Sequence, residues 1–134
     1  MYIEHSDDHR RMLHGRRVLV VEDEALIGML LEDGLLEAGA EVVGPACSVK
    51  EALELIDQAA ADGGLSAAVL DINLEGEAVS PVADHLAALG VPFVFATGYG
   101  EGYNRGLHAA APILEKPFDG NQVTDLVRDL TAGR

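Results

Sequence analysis

Four short, mainly apolar runs in this chain each end at residues that can take part in chemistry. They are Val18–Val21 before Glu22-Asp23, Ala67–Leu70 before Asp71, Pro92–Ala96 before Thr97-Gly98, and Pro112–Glu115 before Lys116-Pro117. Runs of this kind are typical of strands buried on both faces of a parallel sheet. Because open α/β sheets build their sites at the carboxyl ends of the strands, the pattern predicts one edge that gathers acids, a hydroxyl and a lysine.

The segments between these strands carry helix signals. The predicted helices are 24–38, 48 to about 61, 80–89 and about 119–130, and Glu41–Val43 is a short second strand closed by Gly44-Pro45. The first helix is indicated by the spacing of Ala25, Leu26, Met29, Leu30 and Leu36. Ser48 with Glu51 predicts a capping box for the second. Four glycines between Thr97 and Pro112 favour a loop with a short helical piece.

Alternation of strands and helices with short connections predicts an α/β fold, a doubly wound parallel sheet with right-handed crossovers. A chain of 134 residues fits one domain. We assign it to residues 16–134, with residues 1–15 as a polar N-terminal extension. His5 and His9 have a spacing that would place them on one helical face, but no further ligands cluster nearby, so a solvated tail is the favoured interpretation.

The charge balance excludes some classes of partner. Lys and Arg number 9 against 23 Asp and Glu, a formal net charge of −14. Direct binding to nucleic acid and to an anionic membrane is disfavoured, because both need a basic face. Cys47 is the single cysteine, which rules out an internal disulfide and suits a reducing cytosol. No apolar run is long enough for membrane insertion and no signal peptide is evident, so we expect a cytoplasmic protein.

Each candidate site residue has an ordinary interpretation when it is considered alone. An acid after a strand suits a turn, and Glu22-Asp23 suits the start of a helix. Their convergence changes the interpretation, since acids on one edge repel one another unless a cation joins them. Hard oxygen ligands with open water positions suit Mg²⁺. A lysine and a hydroxyl opposite the metal would neutralise a phosphoryl group, and Asp71 would become the nucleophile that forms an aspartyl phosphate.

The motifs around these residues resemble those of receiver domains of two-component response regulators. The matching segments are Val20–Glu24, Val69–Leu74, Ala96–Gly98 and Glu115–Phe118, and the resemblance runs from Arg17 to Leu130. It implies a flavodoxin-like sheet of five parallel strands in the order 2-1-3-4-5. The implied roles are Asp71 as phosphoacceptor, Glu22 and Asp23 as the acid pair, the Asn73 main-chain carbonyl as a further Mg²⁺ ligand, Thr97 as the switch hydroxyl, and Lys116 as the phosphate-pairing lysine.

The resemblance implies a function in signalling. The chain would accept a phosphoryl group from a sensor histidine kinase on Asp71 in a Mg²⁺-dependent reaction, and would catalyse only its own phosphorylation and dephosphorylation. The segment Phe95–Gly100 further resembles the "FAT GUY" receivers, single-domain regulators of alphaproteobacterial type that are commonly partnered by sensor kinases of the HWE or HisKA2 classes. The chain ends soon after the last predicted helix, so we expect output through an output protein or through onward transfer to a histidine phosphotransfer protein.

One position departs from the family pattern. Most receivers have Tyr or Phe three residues before the lysine, and here that residue is Ile113. The usual threonine–aromatic switch therefore cannot operate as such. We hypothesise that Tyr99, in the glycine-rich segment, takes part of this role by packing over the phosphorylated site.

Other classes fit the sequence less well. A flavodoxin-like flavin module needs a phosphate loop after the first strand, where this chain has the acidic Glu22-Asp23-Glu24. A haloacid-dehalogenase-type phosphatase needs a second Asp two residues after the first, where this chain has Asn73. The remaining alternative is a degenerate receiver that acts as a phosphorylation-independent docking module, and the intact set of acids, Thr97 and Lys116 argues against it.

Overall fold

A five-stranded parallel sheet organises the domain. The computed structural model describes residues 11–74, 76–98, 108 and 110–132. The strands and small hairpin are β1 (Arg17–Val21), β2 (Glu41–Ala46), β3 (Ala67–Asp71), β4 (Asn73–Leu74), β5 (Glu77–Ala78), β6 (Phe93–Thr97) and β7 (Ile113–Glu115). The main sheet has the order β2-β1-β3-β6-β7, and β4 pairs with β5 alone. Without that hairpin the order is 2-1-3-4-5, so the predicted flavodoxin-like topology is confirmed.

Four helices in the described residues cover both faces of the sheet. They are α1 (Ala25–Glu37), α2 (Val49–Ala60), α3 (Ser80–Ala88) and α4 (Gly120–Thr131). Successive strand side chains point to opposite faces, so Val18 and Val20 join one apolar cluster while Leu19 and Val21 join the other. The first cluster is completed by α1 and α4, and the second by α2 and α3. None of the described helices is long and apolar enough to cross a membrane.

The first helix was predicted correctly, but most of the residues that indicated it do not face the core. Leu26 is 82% exposed and Met29 is 55% exposed, and Leu30 and Leu36 are also exposed. The helix packs instead through Gly28, Leu31 and Leu35. Apolar residues lie all around α1, so their spacing indicated a helix without distinguishing its two faces.

The second strand is longer than predicted. It continues through Gly44-Pro45 to Ala46 because a bulge shifts its register: Leu19 is opposite Val43, and Val21 is opposite Ala46. Gly44 has φ +98° and lies close to the Val20 carbonyl, a conformation that favours glycine. Proline is tolerated here because β2 is an edge strand of the sheet. The prediction that Gly44-Pro45 closes the strand was therefore wrong.

Helix capping was predicted in part. Ser48 Oγ accepts the Glu51 N–H at 3.1 Å, as expected, but the Glu51 carboxylate accepts the N–H of Cys47 instead of completing a box with Ser48. A complete capping box that we did not predict lies at the start of α4, where Asp119 and Gln122 exchange two hydrogen bonds of 2.9 Å.

The end of the segment interpreted as a polar extension contributes to the core. Leu13 is fully buried, and its N–H donates to the Ala38 carbonyl at 2.9 Å. The Arg16 side chain donates to the Thr131 carbonyl at 3.0 Å. These contacts hold the start of the described chain against the ends of α1 and α4. The proposed pair His5 and His9, together with Tyr99 and most of the glycine-rich segment, lies outside the described residues.

Candidate functional site

The predicted site residues lie at one edge of the sheet. Glu22 follows β1, Asp71 ends β3, Thr97 ends β6 and Lys116 follows β7. These four strands are adjacent, with Val21 opposite Leu70, Asp71 opposite Ala96, and Thr97 opposite Glu115. Parallel pairing in this register brings their carboxyl ends together, as the strand-end pattern predicts.

Three acids form a compact cluster there. Glu22, Asp23 and Asp71 each present a carboxylate oxygen within 4.8 Å of the others. Glu22 and Asp71 are 1% and 3% exposed. Burial of like charges this close together is unfavourable unless a cation compensates them. The cluster is compatible with binding of a divalent metal ion.

Lys116 supplies a positive charge beside this cluster. Its Nζ lies 3.1 Å from Glu22 Oε1, 3.5 Å from Asp71 Oδ2 and 3.7 Å from Glu24 Oε1. Burial alone would lower the pKa of Lys116, but the charges of Glu22, Asp71 and Glu24 outweigh it, and the pKa lies above its ordinary value. Lys116 is therefore held as a cation within the site.

The backbone and its neighbours fix Glu22 in place. Its N–H donates to the Ala46 carbonyl at 2.9 Å, and its Oε2 accepts the Glu24 N–H at 3.1 Å. The other oxygen, Oε1, is buried and lies 3.1 Å from Lys116 Nζ in an ion pair; within the described part of the chain it accepts no hydrogen bond of good geometry. A buried carboxylate oxygen with unused capacity is what a metal ion or its water shell would satisfy.

Asn73 lies on a feature that the sequence analysis missed. It begins the small β4–β5 hairpin two residues after Asp71, where it is opposite Ala78. Gly76, with φ +84°, lies at its turn, and this glycine was the available sequence signal. Between Asp71 and Asn73, the Ile72 N–H donates to the Ala96 carbonyl at 3.0 Å, so the chain that follows Asp71 is anchored to β6.

The ends of β6 and β7 are joined directly. Thr97 is fully buried, and its carbonyl accepts the Lys116 N–H at 2.8 Å. This bond fixes the backbone of the lysine relative to the threonine. Ile113, where receivers commonly have an aromatic residue, is half-buried and packs against the cluster on the α2 and α3 side. The residue proposed to replace that aromatic ring, Tyr99, lies outside the described part.

Glu24, the third acid after β1, is a site residue that we did not predict. Its contact with Lys116 brings it into the site's electrostatics. A shallow apolar depression of about 280 Å³ also adjoins Lys116, lined by Ile27, Leu30, Pro117 and Phe118. Both features had a signal in the sequence. For Glu24 it was a third acid after Glu22-Asp23, and for the depression it was the apolar residues in α1 and directly after Lys116.

Two solved structures are similar to this chain in both sequence and fold. The solution structure of SdrG from Sphingomonas melonis Fr1 has 41% identity and a TM-score of 0.74, over 86% of this chain and 95% of that one. The receiver (REC) domain of the response regulator PhyR from Erythrobacter litoralis has 27% identity and a TM-score of 0.71, over 90% of this chain and 93% of that one. The chain belongs to the response regulator receiver domains.

A longer protein is also similar to this receiver. The transcriptional regulatory protein PdtaR of Mycobacterium tuberculosis is 34% identical over 116 residues, which are 84% of this chain and 53% of PdtaR. The chain thus spans about half the length of the curated relatives of this kind. No protein-family model matches it.

Proposed function

We propose that this receiver takes a phosphoryl group onto Asp71 from a phosphohistidine of a sensor kinase, in a Mg²⁺-dependent reaction. The observation that carries the proposal is the burial of Glu22 and Asp71 with Lys116 beside them at the ends of neighbouring strands. Buried acids in excess of their cation are costly to a fold, and such groups are typical of functional sites.

The chemistry is a phosphoryl transfer that the chain's own residues arrange. An Asp71 carboxylate oxygen attacks phosphorus, the phosphorus–nitrogen bond breaks, and its electron pair leaves with the donor's imidazole. Subsequent attack of water on phosphorus would release phosphate and restore Asp71.

Mg²⁺ would be held by Glu22, Asp23, Asp71 and the Asn73 main-chain carbonyl, and when bound it would offset the negative charge on the transferring phosphoryl group. Lys116 would pair with a phosphoryl oxygen, as a fixed cation does in phosphoryl transfer. The Thr97 hydroxyl would donate to another phosphoryl oxygen. Tyr99 is our candidate for the residue that reports this change, since Ile113 has no ring to move.

The donor needs a surface to bind, and the exposed face of α1 supplies one beside the site. Leu26, Met29 and Leu30 are exposed on the helix that follows Glu22-Asp23, and Leu30 also lines the apolar depression next to Lys116. Met29 and Leu30 lie three and four positions after Leu26, so they are its neighbours on the helix surface, and grouped exposed apolar residues are typical of protein interaction sites. A kinase helix that carries the donor histidine would bury this face while it brings phosphorus to Asp71.

The finer assignment follows from the sequence motifs alone. The Phe95–Gly100 segment supports the FAT GUY subgroup and, through it, a kinase of the HWE or HisKA2 class. Output would go to a histidine phosphotransfer protein or to an output protein that binds the phosphorylated form.

Phosphotransfer profiling tests this function. The purified receiver is mixed with autophosphorylated sensor kinases of the HWE and HisKA2 classes, with Mg²⁺ or with a chelator. We expect label to move to the wild-type chain only with Mg²⁺ and not to Asp71→Asn. Asp57→Asn, an exposed acid of α2, is the matched control and should accept label normally. Equal labelling of Asp71→Asn would contradict the proposal, and binding of a partner without any label transfer would support the docking-module alternative.

A further inference from the structure

Lys116 contacts three carboxylates, two in the buried interior of the site and one at its solvent-exposed rim. The side chains of Glu22 and Asp71 are 0% and 3% exposed, whereas that of Glu24 is 64% exposed. Within the described residues, Glu24 is also the one acid in contact with Lys116 that is not part of the three-acid cluster. This residue has no role in the function proposed above.

The position of Glu24 is fixed by its backbone. It is the residue that precedes α1, and its N–H donates to Glu22 Oε2 at 3.1 Å. Its side chain makes no capping hydrogen bond with the helix. In the described part of the chain, the contact with the Lys116 ammonium, at 3.7 Å, is therefore the interaction that this carboxylate makes.

A bound divalent cation would change the balance among the three partners of Lys116. A cation held by Glu22, Asp23 and Asp71 would offset their negative charge and so weaken their attraction for Lys116. Glu24 lies outside this set and would keep its charge uncompensated. In the metal-bound protein, Glu24 would thus be the strongest remaining carboxylate partner of Lys116, and a phosphoryl group on Asp71 would have to compete with it.

We propose that Glu24 is a positioning residue that competes with the phosphoryl group for Lys116 and so lowers the affinity of the site for that group. The proposal rests on the proposed function, since it presumes that a phosphoryl group is bound at Asp71. Glu24 would thereby restrain activation, because the oxygens of a phosphoryl group on Asp71 must displace it from Lys116.

The effect is measurable at equilibrium with beryllium trifluoride and Mg²⁺, a phosphoryl mimic that needs no donor. An ion pair with one exposed partner contributes little, so Glu24→Gln should bind the mimic about two- to fivefold more tightly than wild type. Asp33→Asn, which makes the same change in charge at an exposed position of α1, is the matched control. It should leave the affinity nearly unchanged.

Two further variants separate contact from charge. Glu24→Asp keeps the charge but shortens the side chain by one methylene, so it should lose the contact and bind the mimic nearly as tightly as Glu24→Gln. In a Lys116→Ala background, which itself binds more weakly, Glu24→Gln should give no gain beyond that of Asp33→Asn, because a double-mutant cycle removes an effect that needs both partners.

The outcomes distinguish this proposal from the one it rests on. If wild type neither binds the mimic nor accepts phosphate, the proposed function fails. If wild type does both but Glu24→Gln matches Asp33→Asn, the competition proposal alone is overturned. It is also overturned if Glu24→Asp behaves as wild type or if the gain persists without Lys116, since either result means that Glu24 acts through long-range charge.

Discussion

Ion pairs cluster at both ends of the strands in the sheet, and the two clusters differ in their exposure to water. We call the amino-terminal ends of the strands the amino edge and their carboxyl-terminal ends the carboxyl edge. At the amino edge, Arg17 contacts Glu41 and Asp62, whose side chains are 63% and 85% exposed. At the carboxyl edge, Lys116 is 12% exposed and contacts the buried Glu22 and Asp71. The same sheet thus holds one cluster that water solvates and one whose cation and two of its acids are largely shielded from water.

The balance of forces on the two cations differs in the same way. The largest influence on the pKa of Arg17 is its hydrogen bond with Glu41, which raises the pKa. The largest influence on the pKa of Lys116 is burial, which opposes the charge and is overcome by the neighbouring acids. The amino-edge cluster therefore needs no further ion, whereas the carboxyl-edge cluster has acids in excess of its cation and is suited to take one.

The largest expected effect is the loss of Lys116. Lys116→Ala would leave buried carboxylates without their cation, and we expect it to reduce the free energy of unfolding by about 2 kcal/mol in metal-free buffer at neutral pH. Urea unfolding of wild type and Lys116→Ala, both with a chelator present, measures this difference. A loss no greater than that of an exposed lysine, with Lys50→Ala as the control, would mean that the acids do not depend on Lys116.

The pH dependence of this difference has a definite sign. Because the pKa of Lys116 is raised on folding, its stabilising contribution is fully present below its unfolded pKa, about 10.4, and is lost as the pH rises through the higher folded value. Wild type and Lys116→Ala should therefore converge in stability only in strongly alkaline solution. Convergence at neutral pH would contradict the raised pKa.

Mg²⁺ should act on the carboxyl edge alone. A ligand that binds only the folded state at about ten times its dissociation constant adds about 1.4 kcal/mol to the free energy of unfolding. We expect this increase in wild type, measured by urea unfolding, and its loss in Asp23→Asn. Glu41→Gln, which changes an acid of the amino-edge cluster, should keep the response. An equal increase in both variants would show a nonspecific effect of ionic strength.

The smallest effect should come from the amino-edge cluster itself. Glu41→Gln should change stability by a few tenths of a kcal/mol, because exposed pairs contribute little. The change should shrink further as salt is added, since screening acts on solvated charges more than on buried ones. The comparison between the edges is weakened if Glu41→Gln destabilises the protein as much as Lys116→Ala.

Much of the fold and of the site's composition could be predicted because both depend on short local patterns. A buried parallel strand must be apolar along its whole length, so the four strand ends were visible, and parallel pairing fixed which polar residues would meet. Asp71 and Lys116 were located in this way. The distance between the Asp71 and Lys116 side chains, and the contact of Lys116 with Glu24, could not be predicted from the strand pattern.

The features that were missed depend on contacts between distant parts of the chain. Leu13 is buried because the ends of α1 and α4 cover it, and nothing in residues 1–15 indicates that cover. The strand over Glu41–Val43 extends to Ala46 because a bulge restores pairing with β1. The exposed apolar face of α1, which includes Leu26 and Met29, was not predicted. In a sequence, an apolar residue that faces a binding partner gives the same signal as one that faces the core.

The most direct test of phosphorylation at Asp71 is to locate the phosphoryl group. The wild-type chain is incubated with a small phosphodonor and Mg²⁺, the acyl phosphate is trapped by borohydride reduction, and the modified residue is identified by peptide mass spectrometry. We predict one hydroxylamine-labile phosphoryl group at Asp71, absent when Mg²⁺ is chelated. Modification at another residue, or none at Asp71 under conditions where the chain is folded and Mg²⁺ is bound, would contradict it.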